Sequence, residues 1–136
     1  MSEQENLRTV RNLFDCFGRG DVPGLLQLLS EDVDWHIKGP EVVPYFGPRQ
    51  GHEGALDFFG KLGTSVEFER FAPETFLAGG EQVVVIGGER GRVRATGKSF
   101  DNDWAMVFTL RDGKITKFRS YEDTAAVAEA FRSSSQ

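Results

Sequence analysis

The stretch 98–123, KSFDNDWAMVFTLRDGKITKFRSYED, holds most of the side chains that could do chemistry beside an apolar surface. Phe100, Asn102, Trp104, Met106, Phe108 and Leu110 share one parity and therefore one face of a strand. An amide set among large apolar side chains suits the floor of a ligand pocket, and an ordinary core presents the same face. The turn decides what opposes it. A two-residue loop at Asp112-Gly113 pairs Leu110 with Ile115 and turns Lys117, Arg119 and Tyr121 inward. A three-residue loop at 111–113 with a glycine bulge instead pairs Met106 with Phe118, Trp104 with Ser120 and Asn102 with Glu122. Burying two unpaired cations costs roughly several kcal/mol each, so the second register is expected. Glu122, beside an amide and an indole, then becomes a carboxyl of raised pKa able to act as a base or to anchor a ligand. At the rim of the fold the same residue is simply solvated.

His36 is a second candidate for proton transfer, with Asp34 of the same parity to orient it. Its parity differs from that of Trp35 and Ile37, so it faces the pocket only if the strand is bulged. Tyr45 lies in an aromatic loop and can cover a mouth with its ring while its hydroxyl reaches inward. Arg90, Arg92 and Arg94 alternate along one face, a pattern of solvated or interface surface more often than of an anion site. His52 sits at a helix start and reads as a local hydrogen-bonding residue. Gly87-Gly88 lacks the following lysine of a phosphate loop. Two histidines in different elements and one helical cysteine make no metal-ligand set. No cofactor is expected.

These residues need a scaffold, and 136 residues suffice for one domain with one core. A net charge of −5 with interspersed signs excludes a nucleic-acid face, which needs clustered cations. Cys16 is alone and reads as a buried thiol. With no apolar run of about 18 residues and no signal peptide, a soluble cytoplasmic protein without a membrane partner is expected. Twelve phenylalanines imply much aromatic surface, suited to a cavity wall or a packed interior.

Ser2 and Glu5 form a capping-box pattern before Leu7, Val10, Phe14 and Phe17, which predicts a helix over 3–17 ended by Gly18 and Gly20. Asp21 and Pro23 start a second, shorter helix with a leucine stripe. Val33, Trp35 and Ile37 share the face of a strand over 33–38. The segment 39–51 has three prolines and three glycines and reads as a shaped loop without regular structure, apolar enough to cover something. A third helix over 52–62 turns Ala55, Phe58, Phe59 and Leu62 inward, with Gly63 as its stop. Strands follow at 66–71, 74–78 and 82–86, with a hairpin at Gly79-Gly80. Gly87, Gly88, Gly91 and Gly97 mark a strand that bends. A helix from Asp123 or Thr124 to about Phe131 closes the chain. The pattern predicts an α+β domain over 1–132, helices packed on one face of a curved sheet, with a disordered tail at 133–136.

The segments Gly20-Asp21, Ser30-Glu31-Asp32-Val33-x-Trp35, Gly51-His52-Glu53-Gly54-Ala55-x-x-Phe58-Phe59, Arg111-Asp112-Gly113-Lys114-Ile115 and Tyr121-x-Asp123 resemble a SnoaL-like protein of the nuclear transport factor 2-like superfamily. The resemblance implies a cone-shaped barrel of a curved, mixed, mainly antiparallel sheet wrapped around N-terminal helices, with an internal cavity. The superfamily includes steroid isomerases, polyketide cyclases, epoxide hydrolases, dehydratases and non-catalytic binders, so it specifies fold more than reaction. The general base of the steroid isomerases falls on Ile37, and their oxyanion donors fall on Leu13 and Met106. None of these can ionise or donate, which argues against that mechanism. The arginine of the epoxide hydrolases falls near Arg90, but its aspartates fall near Arg92 and Ser120.

The resemblance and the residues together imply cofactor-free acid/base chemistry on a small, largely apolar molecule. Glu122 and then His36 are the catalytic candidates, and Asn102 and Arg90 the orienting groups. Trp35, Tyr45, Phe58, Trp104, Met106, Phe118 and Ser120 complete the expected substrate-binding wall. The alternative is a non-catalytic binding or dimerisation module whose cavity is filled by Phe14, Phe17 and Phe118. A homodimer through the convex sheet face, with Ala105, Val107 and Thr109 as its apolar patch, is implied by the resemblance.

Overall fold

Helix α1, Glu3–Arg19, begins at a reciprocal cap. The Ser2 hydroxyl accepts from the Glu5 N–H at 3.0 Å, and the Glu5 carboxylate accepts from the Ser2 N–H at 2.9 Å. Gly20 ends the helix in the left-handed conformation, and Asp21 caps the short α2, Val22–Leu26. The computed structural model describes residues 2–133; of the expected tail, residues 134–136 lie outside the described residues.

Strand β1, Leu29–Ile37, starts four residues earlier than the alternation of Val33, Trp35 and Ile37 indicates. The segment 39–51 departs from expectation at its end, where β2, Gly47–Gln50, pairs antiparallel with β1. Pro48 is tolerated there because β2 is an edge strand with one unpaired side. Helix α3, Gly51–Ser65, passes through Gly63 and runs directly into β3, Val66–Gly79, so Gly63 is no stop. The two short strands expected in β3 are one strand with two irregularities, and its hairpin to β4 turns on Gly80-Glu81 rather than Gly79-Gly80.

Strand β4, Gln82–Val93, is unbroken. Its glycines mark close approach rather than a bend: a Cβ on Gly87 would lie 2.8 Å from the Trp104 ring and closer still to the Ala72 carbonyl. Strands β5, Ser99–Arg111, and β6, Lys114–Glu122, then lead into helix α4, Thr124–Phe131, capped by the Asp123 side chain. The six strands form one mixed sheet in the order β2-β1-β6-β5-β4-β3, with β1 and β6 parallel and the other neighbours antiparallel. The sheet has two free edges and does not close on itself. Helices α1 and α3 pack on its inner face, an α+β arrangement.

The β5–β6 hairpin corrects the expected register. Asp112 and Gly113 have φ of 53° and 78°, which makes a two-residue turn with Arg111 opposite Lys114 and Leu110 opposite Ile115. A bulge then leaves Thr116 unopposed, its hydroxyl donating to the Thr109 carbonyl at 3.2 Å. The extra residue reverses parity, so Lys117 and Arg119 turn outward without the three-residue loop. The partners are Phe108 with Phe118, Met106 with Ser120 and Trp104 with Glu122, two residues from the expected pairing on the same face.

Candidate active site

Strands β4, β5 and β6 each contribute a polar side chain to the inner face of the sheet, and the three meet. Asn102 is the junction. Its side-chain oxygen accepts from the Asp123 backbone N–H at 3.0 Å, which fixes the amide orientation, since a backbone N–H can only donate. The amide nitrogen then donates to Glu89 and to Glu122, each at 3.0 Å. Trp104 donates its indole N–H to the other oxygen of Glu89 at 3.1 Å, and the Ser120 hydroxyl donates to Glu122 at 2.5 Å. Two carboxyl groups thus share one amide, and neither has a salt-bridge partner among the described residues.

Burial, followed by the charge of Glu122, pushes the Glu89 carboxyl up to about 7, against the donations from Asn102 and Trp104. Burial also raises Glu122, against the donations from Ser120 and Asn102. Glu89 is buried and Glu122 half-buried, and two like charges so close cannot both ionise cheaply, so the carboxyls titrate as a pair that retains a proton near neutrality. Such a pair can take a proton with one member and return one with the other.

The pair opens into a cavity of about 50 Å³ whose wall is otherwise largely aromatic. Trp104 stacks against Phe14 at 6.4 Å with only 5° between the ring planes, and Trp35 stacks on Phe118 at 4.0 Å. Phe14, Phe17 and Phe118 all line the cavity and leave it far narrower than a free cone interior. Leu13, Ile37 and Met106 line it too, so the positions matched to the steroid-isomerase groups are in the wall and apolar.

Tyr45 closes the cavity from the loop between β1 and β2. Its ring is buried, and burial together with the charges of Glu89 and Glu122 holds its phenol protonated far above the usual range. Arg49 fixes this loop. Its guanidinium donates to the Pro44, Tyr45, Phe46 and Gly47 carbonyls at 2.9–3.3 Å and reaches Asp57 of α3 at 3.1 Å. A segment rich in proline and glycine is therefore held by one side chain.

Of the residues expected at the site, Trp35, Tyr45, Phe58, Met106, Phe118 and Glu122 line the cavity, while Asn102, Trp104 and Ser120 are buried behind it as the frame of the carboxyl pair. Two expectations of placement fail. Arg90 is exposed on the outer face, where it pairs with Glu69 at 3.0 Å and Asp101 at 2.9 Å. His36 also points away from the aromatic cavity because β1 is unbulged there, and it lines an outer cleft with Lys38 and Arg119 that reaches Ser120 and Glu122 from the other side. Partial burial, then the positive charges of Arg119 and Lys38, lowers its pKa. Asp34 does not orient His36; it forms a two-pronged ion pair with Arg119 at 2.9 and 3.0 Å.

Glu89 is the residue that sequence reasoning missed. Val83, Val85, Gly87, Glu89, Gly91 and Val93 share one parity, so the inner face was legible through the glycines, but a strand ended at Ile86 excludes Glu89.

The family model for the SnoaL-like domain matches residues 10–118. A nuclear transport factor 2-like protein from Burkholderia xenovorans LB400 is 39% identical and superposes with a TM-score of 0.90, over 97% of this chain and 99% of that one. TerC, co-crystallized with polyporic acid, is 26% identical with a TM-score of 0.80, over 93% of this chain and 98% of its own. An uncharacterized protein of Mycobacterium tuberculosis is 24% identical over 131 residues, 96% of this chain and 98% of that protein. The chain belongs to the SnoaL-like domain family and has the nuclear transport factor 2-like fold.

Proposed function

We propose that this protein is an enzyme that carries out cofactor-free acid/base chemistry on a small, largely apolar molecule bound in the aromatic cavity. Glu89 and Glu122 are the catalytic pair, one accepting a proton from the substrate and the other returning one. Isomerisation, cyclisation and dehydration all need this proton traffic and no redox partner. The observation that carries the reading is the Asn102 amide bridging a buried carboxyl, Glu89, and a half-buried one, Glu122, neither of which forms a salt bridge among the described residues. A purely structural site would gain by pairing or removing such groups. TerC's co-crystallization with polyporic acid supports a small organic ligand for the fold.

Asn102 and Trp104 hold Glu89, Ser120 and Asn102 hold Glu122, and Tyr45 excludes water from above. The cavity of about 50 Å³ favours a second reading, a binding module of the same fold in which the aromatic rings themselves fill the interior. An enzyme of this design admits its substrate by moving the rings of Phe14 and Phe17.

The test is solvent deuterium incorporation into a panel of cyclic ketones and enones, combined with thermal shift. The wild-type protein should accelerate exchange at acidified C–H positions, and Glu122→Gln should lower that rate about 10²–10⁴-fold, as expected for a lost general acid or base. Glu89→Gln should act in the same direction. A panel in which the wild type exchanges no faster than the double glutamine variant, while ligands still raise the melting temperature, establishes the binding module instead.

A further inference from the structure

The chain has two tryptophans, each 2% exposed, and their indole N–H groups are treated differently. Trp104 donates to Glu89. The Trp35 nitrogen has no acceptor among the described residues. Trp35 lines the cavity, stacked on Phe118, with Phe58 and Phe59 at 5.6 and 5.4 Å, so its surroundings are hydrocarbon. A buried donor left without an acceptor costs about 1–3 kcal/mol, a penalty that phenylalanine at this position would not carry. The other unpartnered buried atoms, on Asn6 and Ser30, belong to residues that do not line the cavity.

We infer that the Trp35 indole N–H is the recognition point for a neutral carbonyl oxygen on the ligand of this cavity. The inference rests on the reading of the cavity as a ligand site. An indole N–H only donates, so the complementary ligand atom is an acceptor. A carboxylate or phosphate is disfavoured, because a further negative charge would enter a largely apolar cavity that two carboxyl groups already line. A hydroxyl would bring a hydrogen of its own into a ring-lined pocket. A ketone, enone or quinone carbonyl leaves nothing unpaired. Trp35 lies opposite Phe118 on β6, and Glu122 follows four residues later on the same face. The ligand is therefore held by its oxygen at one point while the carboxyl pair addresses another part of the same molecule. Trp35 is a binding and specificity residue in this scheme and takes no proton.

The test uses two probes of matched shape, cyclopentanone and methylenecyclopentane, which differ in C=O against C=CH2. In the ¹⁵N-labelled full-length protein the two tryptophans give two indole N–H signals, each assigned through its nuclear Overhauser contacts to neighbouring residues. Cyclopentanone should move the Trp35 signal downfield, as hydrogen bonding does, and methylenecyclopentane should not. Trp35→Phe should weaken cyclopentanone binding about tenfold, one ordinary hydrogen bond, and leave methylenecyclopentane unchanged. Comparing the two probes across the substitution cancels the stronger hydration of the ketone. A Trp35 signal indifferent to the ketone, equal responses to both probes, equal weakening of both by Trp35→Phe, or no binding of either overturns the inference. If Trp35→Phe does not fold, the wild-type comparison decides alone. A Trp104 signal that ignores pH near neutrality would instead defeat the carboxyl-pair reading and leave the ketone result standing.

Discussion

Glu89 and Arg90 are adjacent on β4 and obey opposite rules. Glu89 faces inward, 6% exposed, with neutral N–H donors and a second carboxyl as its polar neighbours. Arg90 faces outward in a ladder of ion pairs, joined by Arg92 with Glu67 at 2.6 Å. On the outer face Arg90 and Arg92 have opposite partners and water to screen them, so the pairing is energetically small. On the inner face the carboxyls form no ion pair among the described residues, and burial outweighs the charge of Arg70 and pushes Glu89 up. The comparison teaches that a raised carboxyl pKa follows from withheld compensation. Charged residues alternate along the same strand, and the pleat alone sends one to water and the next to the aromatic cavity.

The sharpest way to break the contrast is to add a charge to the inner cluster. Asn102→Asp keeps an acceptor for the Asp123 N–H but removes the shared N–H donor and puts a third carboxyl between two others. Denaturant unfolding near pH 8 should show a loss on the order of 3 kcal/mol or more, much of it recovered near pH 5 as the carboxyls protonate. A smaller effect is expected from the wild type's own titration. The folded-state pKa of Glu89 lies above its ordinary value of 4.5, at about 7, so the folded state binds the proton more tightly than the unfolded state. Stability should therefore fall as pH rises from about 4.5 to about 7, by roughly 3 kcal/mol for a shift of this size. Glu89→Gln should flatten that slope, although its amide would face a donor on one side and forfeit part of the gain.

The outer face should give the opposite sign and less of it. The hydrogen bond from Arg119 holds the Asp34 carboxyl below its usual range, so its contribution is present at neutral pH and is lost as pH falls through the folded pKa. Asp34→Asn should cost about 1 kcal/mol or less at pH 7, discounted for solvent screening, and should abolish this acid-side loss. Arg90→Ala should leave both the unfolding midpoint and its pH slope unchanged. A measurable change in the slope would show that the outer ladder is coupled to the carboxyl pair through β4.

Much of the fold was legible because three of the four described helices carry their own caps. Ser2 with Glu5, Gly20, Asp21 and Asp123 all cap in the structure as their types indicate. Strand alternation likewise set Asn102, Trp104 and Met106 on the buried face. The errors fall where a local signal has two meanings. Glycine in β4 permits either a bend or the close approach of a neighbour, and only the Trp104 ring and the Ala72 carbonyl decide which. Gly63 is a helix stop in isolation, yet α3 continues through it into β3. At the β5–β6 hairpin the two-residue turn at Asp112-Gly113 was passed over for a three-residue loop because the bulge at Thr116 was not readable, and one unpaired residue moves every later side chain to the other face.

The site divides along the same line. Sequence alone determined that a wall containing Trp35, Phe58, Met106 and Phe118 would exist and that Asn102 and Glu122 would lie at one end of it, because side-chain parity is a local property of the chain. Sequence also determined that Leu13, Ile37 and Met106 supply no ionisable group. Only the tertiary structure decided that Glu89 joins Glu122, that His36 and Arg90 do not, and that the rings narrow the cavity to about 50 Å³. Those outcomes depend on sheet register, on the volume left between strands and helices, and on the orientation of one amide. Each is set by residues distant in sequence, and none can be inferred from the spacing of neighbours.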